Sequence, residues 1–227
     1  MTDGERAQQI HRVRQVIGRL VAEGSAIARA DGTRHTLFPV AVSPAEGAAL
    51  HAWVRREGAA HTIEIGLGYG ISALHICLGL IENGDGDAHH VAVDPYQSTR
   101  FSNCGLQFLA DAGVAAMVEH HAAPSEIVLP RLLGEQRRFD LAFVDGNHRF
   151  DAVFVDLFYL GRLVRPGGII VLDDYQLPGI ARAAAFWLRN VGWTLVELSA
   201  ADRLHRWAVL RTAAGPDTRP FDHFADF

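Results

Sequence analysis

The chain has 227 residues, 49% of them hydrophobic, only two cysteines and a formal charge of -5. A chain of this length buries roughly 70% of its unfolded surface around one core, and its apolar content excludes a disordered ground state. The acidic balance without a basic block excludes phosphate-driven nucleic-acid binding, two cysteines make no disulfide framework, and no 18-residue apolar window offers a membrane span.

The expectation is therefore a cytoplasmic protein with neither nucleic acid nor membrane as partner; the charged stretch Met1 to Arg14 reads as neither signal peptide nor anchor. Ile10, Val13, Ile17, Leu20 and Val21 make a helical stripe that ends near Gly24, a helix of about four turns. After a loop containing Pro39, Ser43-Pro44-Ala45-Glu46 reads as a capping box with proline in the first turn, opening a helix that runs to Glu57-Gly58. These helices form an expected N-terminal extension over residues 1–58, which caps the core or pairs subunits in a homodimer or higher oligomer.

From residue 59 to 227 the pattern changes to alternating strands and helices, the signature of an α/β fold with a doubly wound parallel sheet. The expected strands are Thr62 to Ile65, Val91 to Val93, Met117 to His120, Leu141 to Val144, Ile169 to Leu172, Thr194 to Leu198 and Trp207 to Leu210. Helices are expected over Ile71 to Ile81, Cys104 to Asp111, Ser125 to Leu133, Phe150 to Leu163 and Ile180 to Val191. Only Ser199 to His205 separates the last two strands, which suits an antiparallel hairpin. The aromatic tail, Phe221 to Phe227, is placed to dock on the core or on a partner.

The chemistry concentrates first at His61 to Ser72. A strand with β-branched Thr62, Ile63 and Ile65 leads into Gly66, Gly68 and Gly70 and then into a helix, whose first N–H groups face a polar or anionic ligand. A dinucleotide fingerprint needs a sixth-position glycine, and counting from Gly66 that position is Ile71. Glu64, inside the strand, needs a partner: either the N–H groups of the glycine loop or a ligand. Asp94 ends the next strand, where a carboxylate either accepts both hydroxyls of a ribose or caps the turn at Pro95. Tyr96 is either a stacking platform for an adenine or a surface aromatic.

A second constellation lies at the ends of two later apolar strands. Asp145-Gly146-Asn147-His148 follows one, and Asp173-Asp174-Tyr175 follows the other. If the strands are neighbours, Asp145, Asp173 and Asp174 share one site, where their mutual repulsion calls for a cation. All-oxygen ligands favour Mg²⁺, with Ca²⁺ and Mn²⁺ as alternatives. The competing reading makes Asp145 and Asp174 turn caps. His148, beside them, is a candidate base near neutral pH or a hydrogen-bonding loop residue. His89-His90 and His120-His121 read as surface or strand-end residues, since adjacent side chains on a strand point to opposite faces.

Glu64 to Gly70, Asp94, Phe139 to Asp145 and Arg165-Pro166-Gly167-Gly168 together resemble the class I S-adenosylmethionine-dependent methyltransferases, from about Ala60 to Arg211. Within that class, Asp145 to His148 with Asp173-Asp174-Tyr175 is similar to the bacterial metal-dependent small-molecule O-methyltransferases that include the sugar O-methyltransferases of macrolide and aminocoumarin biosynthesis. The resemblance implies a Rossmann-like seven-stranded sheet of order 3-2-1-4-5-7-6, last strand antiparallel. It implies S-adenosylmethionine as cofactor and a hydroxyl of a small molecule, a secondary metabolite, as acceptor. Glu64, Gly66, Gly68 and Ser72 would hold the methionine end, with Tyr69 and Tyr96 also on the cofactor, Asp94 on the ribose and Ser125 approaching the adenine. Asp145, Asp173 and Asp174 would carry the metal. Asn147 departs from that group, whose sugar enzymes carry an aspartate there as proposed base; asparagine takes up no proton, which leaves His148 or metal activation. Two other functions share parts of the pattern: a nicotinamide-dependent oxidoreductase and a non-catalytic S-adenosylmethionine-binding scaffold.

Overall fold

The computed structural model describes residues 2–200 and 205–227. Its strands build a two-stranded hairpin and a seven-stranded mixed sheet of order β5-β4-β3-β6-β7-β9-β8, where β1 is Ser25–Ile27, β2 Arg34–Thr36, β3 His61–Ile65, β4 His89–Val93, β5 Val118–His121, β6 Phe139–Val144, β7 Val164–Leu172, β8 Thr194–Leu198 and β9 Ala208–Arg211. Without the hairpin this is the order 3-2-1-4-5-7-6 that the family resemblance implies. The chain divides into two compact units, Met1–Pro124 and Ser125–Phe227.

In the first unit, β3, β4 and β5 are parallel, with Ile65 level with Val93 and Val93 level with His121. Helix α1, Asp3–Glu23, runs longer than its apolar stripe because Thr2 and Glu5 close a full capping box ahead of that stripe. Helix α2, Pro44–Arg56, starts from Ser43, whose hydroxyl accepts from the Glu46 N–H. Both pack on α3, Ile71–Asn83, which is buried almost all round. Two glycines allow that approach: a Cβ on Gly79 would stand 2.7 Å from Val54, and one on Gly47 2.4 Å from the His75 ring. The hairpin β1–β2, which the sequence reading left as loop, is too short and polar to show alternation. It docks through Gln107 of α4, Cys104–Asp111, which accepts from the Arg29 N–H and donates to the Ile27 carbonyl.

In the second unit, β6 and β7 are parallel, and Val144 pairs with Leu172, so Asp145 and Asp173 leave the sheet side by side. Strand β9 is antiparallel to both β7 and β8, as expected of the closing hairpin; its expected connection, Ser199 to His205, lies partly outside the described residues. Helices α5, Ser125–Gly134, α6, Phe150–Leu163, and α7, Pro178–Asn190, complete the unit. The aromatic tail docks on α7: Asn190 donates to the Ala225 carbonyl and accepts from its N–H, and Phe227 packs edge-on against Phe186 under the Arg182 guanidinium. No described helix is long and apolar enough to cross a membrane.

Candidate cofactor and metal sites

The glycine turn is built for close approach. Gly66, Gly68 and Gly70 all have positive φ, +93°, +49° and +71°, and a Cβ on Gly68 would meet nothing within 4 Å. Gly70 begins α3 and no side chain caps that helix, so its first-turn N–H groups are offered to a ligand. A Cβ on Gly70 would stand 3.1 Å from the backbone of Gly105, so the turn is wedged against the start of α4.

Asp94 holds this turn in shape. Its Oδ2 accepts from the N–H groups of Gly68 at 2.8 Å and Leu67 at 3.2 Å and from the Gln97 amide at 2.9 Å, while Oδ1 accepts from the Tyr96 N–H at 2.7 Å. Asp94 thus caps its own turn at the end of β4. A carboxylate offers about four acceptor sites, so a ribose hydroxyl would have to share with or displace one of these donors. Gln97, which no sequence motif marks, also donates to the Gly68 carbonyl at 2.7 Å, so Asp94 holds that glycine by its N–H and Gln97 by its carbonyl.

Glu64 is wholly buried; the Ser72 hydroxyl donates to its Oε2 at 2.8 Å, and its Oε1 stands 3.3 Å from His90 Nε2 without a hydrogen bond between them. It therefore ties β3 to the first turn of α3 from beneath, through side chains and not through loop N–H groups. His90 is no surface residue: it is fully buried, with Nδ1 2.9 Å from the Thr62 hydroxyl. A parallel sheet covered on both faces buries even a polar strand residue, provided it is paired. Tyr69 lies between His35 of the hairpin, 3.3 Å from its hydroxyl, and the edge of Phe101, and burial pushes its phenol up. Tyr96 is 56% exposed.

In the second unit, His148 stands between two carboxylates, with Nε2 3.3 Å from Asp145 Oδ1 and Nδ1 3.2 Å from Asp174 Oδ2. Asp174 has φ +49°, a left-handed conformation that turns the chain sharply after Asp173. Asp173 is buried, its N–H donates to the Val144 carbonyl at 3.1 Å, and its Oδ1 has no hydrogen-bond partner among the described residues. Ligand atoms of Asp173, Asp174 and His205 lie within 4.8 Å of one another. A buried, unpartnered carboxylate oxygen beside two further donors fits a divalent cation. The sequence reading gave Asp145 as the third ligand; in this structure its Oδ1 faces His148, and His205 stands with the pair.

Ser125, expected near the adenine, opens α5 and donates to Asp156 of α6, whose carboxyl burial pushes up to about 6. Asn147 accepts from the Arg149 N–H at 3.2 Å, a local turn bond.

Comparison with known proteins agrees with this geometry. Residues 63–175 match the family model described as "Methyltransferase domain". A protein of Mycobacterium sp. (strain JLS), assigned by name to the O-methyltransferases, is 30% identical over 81% of this chain and 81% of its own length. Tricin synthase 2 of Oryza sativa subsp. japonica is 31% identical over 63% of this chain, which spans about half, 47%, of the rice protein. The O-methyltransferase TomG of Streptomyces achromogenes, involved in tomaymycin synthesis and solved in complex with S-adenosylmethionine, shares the fold with a TM-score of 0.65 at 22% identity, covering 90% of this chain and 89% of that one. With its glycine turn, its strand-end acids and these relatives, the chain belongs to the class I S-adenosylmethionine-dependent O-methyltransferases.

Proposed function

We propose that the protein transfers a methyl group from S-adenosylmethionine to a hydroxyl of a small molecule, a secondary metabolite, with a divalent cation at Asp173 and Asp174. The observation that carries the reading is Asp173 Oδ1, buried next to Asp174 and without a hydrogen-bond partner among the described residues. An acid there without a cation is costly, whereas a bound ion satisfies it.

The chain's own residues divide the work. Asp94 and Gln97 fix the glycine turn, and Glu64 fixes Ser72, so the donor meets a preformed cradle and loses little to ordering it. A divalent ion at the acids would lower the pKa of an acceptor hydroxyl and orient it for in-line attack. His148 is the proposed base. Both its nitrogens face carboxylate oxygens, so it takes up the acceptor's proton only after one of those contacts opens.

Incubation with methyl-labelled S-adenosylmethionine and a panel of hydroxylated small molecules tests this. Labelled methyl ether is the expected product. Tight S-adenosylhomocysteine binding with no transfer to any acceptor would favour a scaffold, and tight NADH binding alone would favour an oxidoreductase.

A further inference from the structure

We infer that His205 supplies a nitrogen ligand to the cation site, which makes it selective for a borderline first-row ion of the Mn²⁺, Co²⁺ or Zn²⁺ kind over Mg²⁺ and Ca²⁺. The inference rests on the divalent-cation reading above and specifies which ion that site takes.

Position comes first. His205 is held against the acidic turn by a bracket of neighbouring bonds. The Tyr175 N–H donates to the Arg206 carbonyl at 2.6 Å, the Arg206 N–H donates to Gln176 Oε1 at 2.8 Å, and the Gln176 amide donates to Asp174 Oδ1 at 2.6 Å. The segment that carries the imidazole is thus clamped to Tyr175 and Gln176, the two residues that follow Asp174. The ring is three-quarters buried, and its Nδ1 lies 4.0 Å from Asp174 Oδ1.

That distance separates the two histidines of the site. At 4.0 Å an imidazole and a carboxylate make no hydrogen bond. Two donors on one ion, each about 2.1 Å from it, stand roughly 3 to 4.2 Å apart as the angle between them opens from 90° to 180°. His148 is already engaged: its Nε2 is hydrogen-bonded with Asp145 Oδ1 at 3.3 Å, and its Nδ1 lies in ion-pair contact with Asp174 Oδ2 at 3.2 Å. The independent sign of a ligand is Asp173, 5% exposed, whose Oδ1 has no hydrogen-bond partner among the described residues. The donor set is then one imidazole nitrogen and two carboxylates.

Chemistry follows from that set. Mg²⁺ and Ca²⁺ take oxygen ligands almost alone, whereas imidazole suits the borderline first-row ions. Replacing an oxygen donor by His205 therefore shifts preference toward the latter while leaving the site open to acceptor oxygens.

Electron spin echo envelope modulation of the Mn²⁺-loaded full-length protein reads the nitrogen directly. The expected result is ¹⁴N modulation from a coordinated imidazole that survives in His148→Ala and disappears in His205→Ala. Mn²⁺ affinity in His205→Ala should fall about 10- to 100-fold, with Mg²⁺ affinity changing less than about threefold. His205→Asn guards against a folding defect: an oxygen donor there should retain Mn²⁺ while losing the ¹⁴N signal, with S-adenosylhomocysteine affinity kept. Mn²⁺ bound without ¹⁴N modulation, or modulation lost only in His148→Ala, would overturn the assignment and leave the cation reading intact. Failure of the protein to bind any Mn²⁺ while it still binds S-adenosylhomocysteine would remove the cation reading, and this inference with it.

Discussion

The N–H of Gly68 donates to Asp94 Oδ2 at 2.8 Å, joining the glycine turn to the acid at the end of the neighbouring strand. Asp94 collects four donors, so it is a support of the loop whether or not cofactor is bound. Asp94→Asn keeps one acceptor oxygen and turns an NH₂ toward N–H groups, at a cost of about 1.5 to 3 kcal/mol for each charge-assisted bond lost. The variant is expected to lower the melting temperature of the cofactor-free protein and to weaken S-adenosylhomocysteine at least tenfold by calorimetry. Unchanged affinity with unchanged stability would contradict the role.

Gly68→Ala separates space from strain. Its Cβ meets no protein atom within 4 Å, so the stability cost should be only that of an L-residue at φ +49°, about 1 to 2 kcal/mol. If the open space belongs to the cofactor, affinity for S-adenosylhomocysteine should fall far more, by about 100-fold. Equal small effects on both would place the cofactor elsewhere.

Removal of divalent ions by exhaustive chelation should abolish methyl transfer without changing S-adenosylhomocysteine binding. Asp173→Asn should do the same, because its amide cannot replace the buried anionic oxygen. Full turnover after chelation would take the ion out of the mechanism.

Asp156 gives a pH signature unrelated to the site. Burial raises its carboxyl to about 6, above its ordinary 3.8, so between those values the folded protein keeps a proton that the unfolded chain has lost. Stability should therefore fall as pH rises through that window and stay lower above it. Asp156→Asn should be more stable than the parent at pH 8, by up to about 3 kcal/mol, and no more stable at pH 4, as read by urea denaturation.

Asn190 fastens the tail by paired bonds to Ala225 at 2.9 and 2.7 Å. Asn190→Ala leaves both backbone groups of Ala225 without that partner, for an expected loss of about 1 to 3 kcal/mol. Limited chymotryptic cleavage after Phe224 should then be faster than in the parent.

What the sequence disclosed followed from period and position. The shift from β-branched strand to helical spacing at Gly70 marked β3 and α3, and aspartates directly after apolar strands marked Asp94, Asp145 and Asp173. Side-chain pairings between distant segments left no such trace. His205 comes from before β9, some thirty residues beyond Asp174, and nothing local distinguishes it. The partnership of Ser125 with Asp156 joins two helices, and Gln97 works through its own loop. The hairpin carrying His35 was hidden because strands of three residues carry too little pattern to show a period.

The contact between Gly70 and Gly105 has a consequence for how this sequence can diverge. A methyl on Gly70 would stand 3.1 Å from the Gly105 backbone, and one on Gly105 would stand 2.8 Å from the Gly68 carbonyl of the same turn, backbone that cannot rotate away. Neither can change first without prising α4 from the cofactor turn. Descendants of this chain should therefore keep both as glycine or replace them together with a displaced α4, so the pair forms one heritable unit joining two separate segments of the chain.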